Sequence, residues 1–121
     1  MRPKCILLDI DGTILYHHGT LDKQVKNEPE LLSGTLEKLH EWDKEGYRII
    51  LITGRKESLR QHTENQLLNL GICFDQLVMG VGGGTRVLIN DLKDDGQKTA
   101  FAVNIPRNHG ISGVDLQNEE F

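Results

Sequence analysis

Ile6-Leu7-Leu8-Asp9-Ile10-Asp11-Gly12-Thr13 is an apolar run that ends in two carboxylates one residue apart, followed by a glycine and a hydroxyl. The apolar residues suit a strand fed into the middle of a sheet. Asp9 and Asp11 share one face of an extended chain and emerge where the strand stops. Two carboxylates this close repel unless a cation or a proton lies between them. The pair therefore reads as a Mg²⁺ ligand set, an acid/base pair, or both.

Working outward, the same pattern recurs twice. Tyr47-Arg48-Ile49-Ile50-Leu51-Ile52 runs into Thr53-Gly54-Arg55. Thr53 offers a hydroxyl, Gly54 lets backbone approach a ligand closely, and Arg55 brings a planar fork of donors matched to phosphate oxygens. Thr85-Arg86-Val87-Leu88-Ile89 then leads into Asn90-Asp91-Leu92-Lys93-Asp94-Asp95, where β-branched and apolar residues again give way to carboxylates. In a parallel sheet such strand ends lie along one edge, so the three polar turns would meet. Any one of them alone is an ordinary turn, because Asp and Gly serve tight turns well. Three in register argue for a site.

Between these runs the helical pattern appears where crossovers are needed. Leu36, Leu39 and Trp42 recur after Ser33, with Gly46 placed as a left-handed cap. Residues 56–70 put Leu59, Leu67 and Leu70 on one stripe and stop at Gly71. Residues 74–79, 86–90 and 100–105 supply a third, fourth and fifth strand. The expected fold class is α/β, a Rossmann-like three-layer sandwich around a parallel sheet of about five strands with right-handed crossovers. Residues 16–30 read as a polar loop, residues 80–84 as a glycine-rich connection, and residues 113–121 as an acidic end that frays.

Length fits one domain over residues 1–121. The formal net charge is −4 with no basic run, which argues against a broad electrostatic footprint for nucleic acid. Cys5 and Cys73 are too few for a disulfide framework and point to a reducing, cytoplasmic setting. No stretch has the length of a signal peptide or a membrane span. His17 and His18 follow the first turn, and no Cys or His partner stands at zinc spacing. His40, His62 and His109 are scattered and take a structural reading.

On Asp9-Ile10-Asp11-Gly12-Thr13, Leu51-Ile52-Thr53-Gly54-Arg55 and Ile89-Asn90-Asp91 with Asp95, the chain resembles the haloacid dehalogenase-like superfamily of phosphohydrolases. Asn90 stands where many members have a second aspartate. The resemblance implies Asp9 as the nucleophile that forms an aspartyl-phosphate, and Asp11 as general acid and then base. It implies Mg²⁺ held by Asp9, the Asp11 carbonyl, Asp91 and waters. Thr53, Gly54, Arg55 and the N–H groups near Gly12 and Gly54 are expected on the phosphoryl oxygens.

The family's usual lysine is missing, since Met79-Gly80-Val81-Gly82-Gly83-Gly84 occupies its segment. Lys98, Arg86 and Arg55 are the candidates, and Lys98 is favoured because Arg86 begins a strand expected at the opposite edge. Neither inter-motif segment has room for a cap domain. A capless site admits bulky substrates or needs a neighbouring subunit of a homo-oligomer to cover it. The expected activity is a Mg²⁺-dependent phosphomonoesterase acting on a sugar phosphate or saccharide-linked phosphate. The alternatives are a nucleotide or polynucleotide 3′-phosphatase and a non-catalytic phosphate-binding or regulatory domain.

Overall fold

The computed structural model describes residues 2–117. Its centre is a parallel sheet in the order β1-β2-β3, formed by β1 (Cys5–Asp9), β2 (Arg48–Ile52) and β3 (Gln76–Val78). In register, Cys5 lies opposite Arg48 and Asp9 opposite Ile52, while Ile52 lies opposite Val78. The strands therefore end together, and the Asp9 and Thr53 turns share one edge as the parallel arrangement requires.

Two crossovers carry the chain between the strands. The first passes through α1 (Leu21–Lys26) and α2 (Thr35–Lys44), and the second through a 3-10 turn (Glu57–Leu59) and α3 (Arg60–Asn69). Helix α2 buries Leu39 and Trp42 against the sheet, the stripe expected from its spacing. Two residues past its end, Gly46 has a positive φ that lets Tyr47 N–H reach the Trp42 carbonyl just before β2. On α3, Leu67 and Thr63 are buried, and Arg60 ties the helix to β3 by donating from Nη2 to the Leu77 carbonyl at 3.1 Å. Leu8, Ile10, Ile14, Leu15, Ile49 and Leu51 form the centre of the core.

Three expectations meet a different structure. The loop at residues 16–30 contains α1, capped by Thr20, whose hydroxyl accepts from Lys23 N–H; too short for an apolar stripe, the helix left no periodic signal. Residues 86–90 and 100–105 form no strand, and residues 81–99 are exposed throughout. Ile89 is 90% exposed: β-branched residues report a preference for a pleated, half-buried surface, and here no neighbouring strand provides one. The end of the chain packs back. Ile111 and Leu116 are buried, and Ile111 N–H donates to the Ser33 carbonyl at 2.9 Å. The chain passes so close there that a Cβ on Gly34 would lie 2.4 Å from Ser112 Cα. The expected fraying of residues 113–121 thus gives way to a docked Leu116 up to residue 117, and residues 118–121 lie outside the described residues.

Candidate active site

The turn after β1 is built on one carbonyl. Ile10 C=O accepts N–H groups from Thr13, Ile14 and Leu15 at 2.9–3.1 Å, which folds the chain back immediately after β1. Gly12 (φ 91°) takes the left-handed position that this reversal needs. Its N–H donates to the Leu15 carbonyl at 2.7 Å, so this donor, expected on a phosphoryl oxygen, is already committed within the turn.

Asp9 ends β1 partly buried. Its Oδ2 accepts the Thr13 hydroxyl at 3.2 Å. Burial pushes its carboxyl pKa up. The hydrogen bonds from Thr13 and the Ile10 N–H oppose that shift, the neighbouring Asp11 charge adds to it, and Arg86 counters it. No side-chain cation of the described residues pairs directly with Asp9. Because its pKa is higher folded than unfolded, ionising Asp9 weakens the fold. The penalty is absent below the unfolded value and complete above the folded one. Asp9→Asn, measured with divalent metals chelated, should therefore raise Tm at neutral pH. That gain should vanish as pH falls through the carboxylate range, and a variant no more stable at neutral pH would contradict the burial argument.

Asp11 is held quite differently. Arg55 donates from Nε to Asp11 Oδ2 at 2.9 Å and from Nη2 to Oδ1 at 2.8 Å, a two-point clamp. Arg55 is only 2% exposed, and its Nη1 is committed to Thr63 Oγ1 (3.1 Å) and Gln66 Oε1 (2.7 Å) on α3. Gln24, buried on α1, donates from Nε2 to Asp11 Oδ1 and to the Tyr16 carbonyl, both at 2.7 Å, and its Oε1 accepts the His18 N–H. Both Asp11 oxygens thus accept, and one glutamine ties the acid to the segment that follows the turn.

Arg55 accordingly faces Asp11 and α3 rather than standing open for a phosphate. Thr53 is buried, and its hydroxyl oxygen accepts Arg55 N–H at 3.1 Å, leaving the hydroxyl proton to donate. Gly54 is needed for a close approach, since a Cβ there would meet the Gly82 carbonyl oxygen at 2.7 Å.

The third turn does not join the first two. Among the described residues, no three His, Cys, Asp or Glu side chains converge as a metal cage, so Asp91 is not gathered with Asp9 and Asp11. The strand that would have delivered it to the sheet edge is unformed. Asp91 lies in an exposed loop, its carbonyl accepting the Thr99 hydroxyl, and Asp95 caps Gln97 N–H at 3.0 Å. Lys98 stands exposed on the same loop. The Arg86 charge favours ionised Asp9, contrary to the placement expected from a strand at the far edge.

Gln24 and the Thr63–Gln66 pair escaped the sequence reading. A polar residue on a short helix carries no periodic signal, and Thr63 and Gln66 look like ordinary helix residues until Arg55 is buried against them. His17 and His18 lie on the segment that follows the turn, with the His18 ring edge-on to Tyr16 at 4.9 Å between centroids.

Comparison with known proteins bears on the family and the fold. Residues 3–86 match the family model of the polynucleotide kinase PNKP phosphatase domain. A chain in the structure of a Pnkp1/Rnl/Hen1 complex is similar at 26% identity and a TM-score of 0.58, over 70% of this chain and 30% of that one. A chain of the Pnkp1/Rnl/Hen1 RNA repair complex is similar at 29% identity and a TM-score of 0.55, over 64% of this chain and 25% of that one. A crystal structure from Vibrio cholerae, at 17% identity and a TM-score of 0.53 over 94% and 91% of the two chains, shares the fold. Protein retinal degeneration B of Drosophila melanogaster is 27% identical over 109 residues, which are 90% of this chain and 8% of that protein. The chain thus spans a minor part of the matching chains in the Pnkp1/Rnl/Hen1 complexes and of protein retinal degeneration B. No helix is long and apolar enough to cross a membrane among the described residues. With an Asp-x-Asp-Gly-Thr turn at a parallel strand end and a matched segment covering most of its length, the chain belongs to the PNKP phosphatase-domain family of haloacid dehalogenase-like phosphohydrolases.

Proposed function

We propose that this domain removes a terminal phosphate from a nucleotide or polynucleotide end, with Asp9 as nucleophile and Asp11 as the proton-handling group. The observation that carries the reading is the unequal treatment of two adjacent carboxylates. Asp9 is half-buried with no cation touching it, whereas Asp11 is clamped by Arg55 and Gln24. One group is left free to attack and the other is held in place to move a proton.

In the first half of the reaction an Asp9 oxygen bonds to phosphorus as the bond to the leaving oxygen breaks, and Asp11 gives that oxygen its proton. In the second half Asp11, an acceptor on both oxygens, takes a proton from the water that cleaves the aspartyl-phosphate. Thr53 donates its hydroxyl proton to a phosphoryl oxygen. Arg55 acts through Asp11 as a positioning residue.

Mg²⁺ fits the donors present. The Asp9 carboxylate and the Asp11 main-chain carbonyl are hard oxygens, and this ion is commonly held by one or two carboxylates plus waters and substrate phosphates. It would supply neutralisation between an anionic nucleophile and an anionic phosphate. Asp91 is not needed for that minimal set.

The sugar phosphate or saccharide-linked substrate expected from an open site finds no counterpart in the family match, whereas the polynucleotide alternative does. A panel comparing a 3′-phosphorylated oligonucleotide with hexose phosphates tests the choice. Higher kcat/KM on the oligonucleotide is expected, and preference for the sugars would overturn it. The place of Asp91 on an exposed loop, outside any three-ligand cluster of the described residues, favours a second reading, a phosphate-binding domain without turnover. Affinity for phosphorylated ends with no phosphate release would establish it.

Arg86 takes the place of the missing lysine in this proposal, because its charge favours ionised Asp9 although it stands, like Lys98, on the exposed segment 81–99. Arg86→Ala should lower kcat/KM by about 100-fold, the scale of one lost transition-state donor, and Lys98→Ala by less than about twofold. The opposite ordering in steady-state assays would return the role to Lys98.

A further inference from the structure

The chain beyond the matched segment comes back to the nucleophile turn. Asn108 is the non-glycine residue with left-handed backbone among the described residues, at φ 63°. Asparagine tolerates that region, and three contacts hold it there. Its N–H donates to the Gly12 carbonyl at 2.8 Å, its Oδ1 accepts the His17 N–H at 2.7 Å, and its Nδ2 donates to the His17 carbonyl at 3.4 Å. The side-chain amide thus meets both backbone groups of His17, as a neighbouring strand would. A few residues on, the Ile111 hydrogen bond to Ser33 anchors the other end of the segment.

This anchoring sets Arg107 against the turn. Its Cγ lies 3.2 Å, and His17 Cβ 3.6 Å, from the point where a Cβ on Gly12 would stand. The stem of Arg107 therefore packs on Gly12, while the side chain as a whole is exposed. Its guanidinium makes no hydrogen bond or ion pair with any described residue. On His17, Nδ1 accepts the Gly19 N–H at 3.0 Å, which puts the proton of a neutral ring on Nε2. Held against Gly12, the Arg107 side chain stands beside the turn that follows Asp9. An uncommitted guanidinium fork in that position matches a second phosphate oxygen pair.

The geometry points to a second anion subsite, made by the Arg107 guanidinium and the His17 Nε2–H, that takes the phosphodiester next to the terminal phosphate of a nucleotide chain. It rests on the phosphatase reading of the Asp9 turn. In a chain of net charge −4 without a basic run, one such cation decides whether a polyanion can approach.

The test compares a 3′-phosphorylated dinucleotide, which has an internal phosphodiester, with a 3′-mononucleotide, which lacks one. Arg107→Ala should lower kcat/KM on the dinucleotide about tenfold, mostly through KM, and change it less than about twofold on the mononucleotide. Arg107→Lys should recover only part of the loss, and Tm should stay unchanged in both variants. Equal losses on the two substrates, or no loss on either, would overturn the subsite. A second arm needs no turnover. In an Asp9→Asn background, binding of a fluorescent 3′-phosphorylated oligonucleotide should weaken about tenfold on Arg107→Ala, with a shallower salt dependence, by about one phosphate contact. If the wild-type protein releases no phosphate, the phosphatase reading falls while this arm still decides. Weakened binding keeps the subsite, and unchanged binding removes it.

Discussion

Arg55→Ala is expected to lower the unfolding free energy by about 3 to 5 kcal/mol, the usual cost of removing one partner from a buried ion pair, and to abolish turnover. The size follows from what the guanidinium satisfies. It is 2% exposed and holds both oxygens of Asp11 together with Thr63 and Gln66. Truncation leaves a part-buried carboxylate with only Gln24 as a partner, and two helix side chains facing a void. Arg55→Lys keeps the charge but cannot bridge both carboxylate oxygens and α3 at once, so it should retain part of the stability and little of the activity. Urea denaturation of Arg55→Ala, Asp11→Ala and the double variant isolates the pair. The double should cost clearly less than the sum of the singles. Additive losses, or a loss below about 1 kcal/mol, would show that the clamp is not what holds the turn. A phosphate-binding Arg55 would instead raise KM and leave stability nearly unchanged.

Asp11→Asn should lower kcat by about 100- to 10,000-fold on a 3′-phosphorylated oligonucleotide, the range for loss of a positioned acid or base. On p-nitrophenyl phosphate the loss in the first half-reaction should be much smaller, because nitrophenolate leaves without a proton. Single-turnover release of nitrophenol separates that half from hydrolysis of the aspartyl-phosphate. The variant also removes the anion that pairs with buried Arg55, so kinetics belong at a temperature where circular dichroism shows it folded. Equal losses of nitrophenol and oligonucleotide release in single turnovers would remove Asp11 from the proton-transfer role.

The parts of the fold that could be read from the sequence are those with a local cause. β1 and β2 are apolar runs that stop at polar turns, α2 has apolar spacing, and a glycine stands just beyond the end of both α2 and α3. Residues 86–90 have the same strand composition and stay irregular, because propensity names a preference and not a partner. That one failure explains why Asp91 and Lys98 lie on an exposed loop and not at a strand end, and why Arg86 could be misplaced. Residue type at 55 suggested phosphate; its actual neighbours, Asp11, Thr63 and Gln66, come together only through the tertiary fold. Asn108 and His17, hydrogen-bonded across 91 residues of chain, left no trace in any local window. The turn at residues 9–13 was legible as a family motif at a strand end, and the residues that pack around it were not.

The central claim is that Asp9 is the attacking group, and phosphate release by Asp9→Asn tests it most directly. With a 3′-phosphorylated oligonucleotide and Mg²⁺, wild-type protein should release phosphate, and the folded variant should release it at least about a thousandfold more slowly, the scale of losing a nucleophile. Release by Asp9→Asn at the wild-type rate would contradict the account.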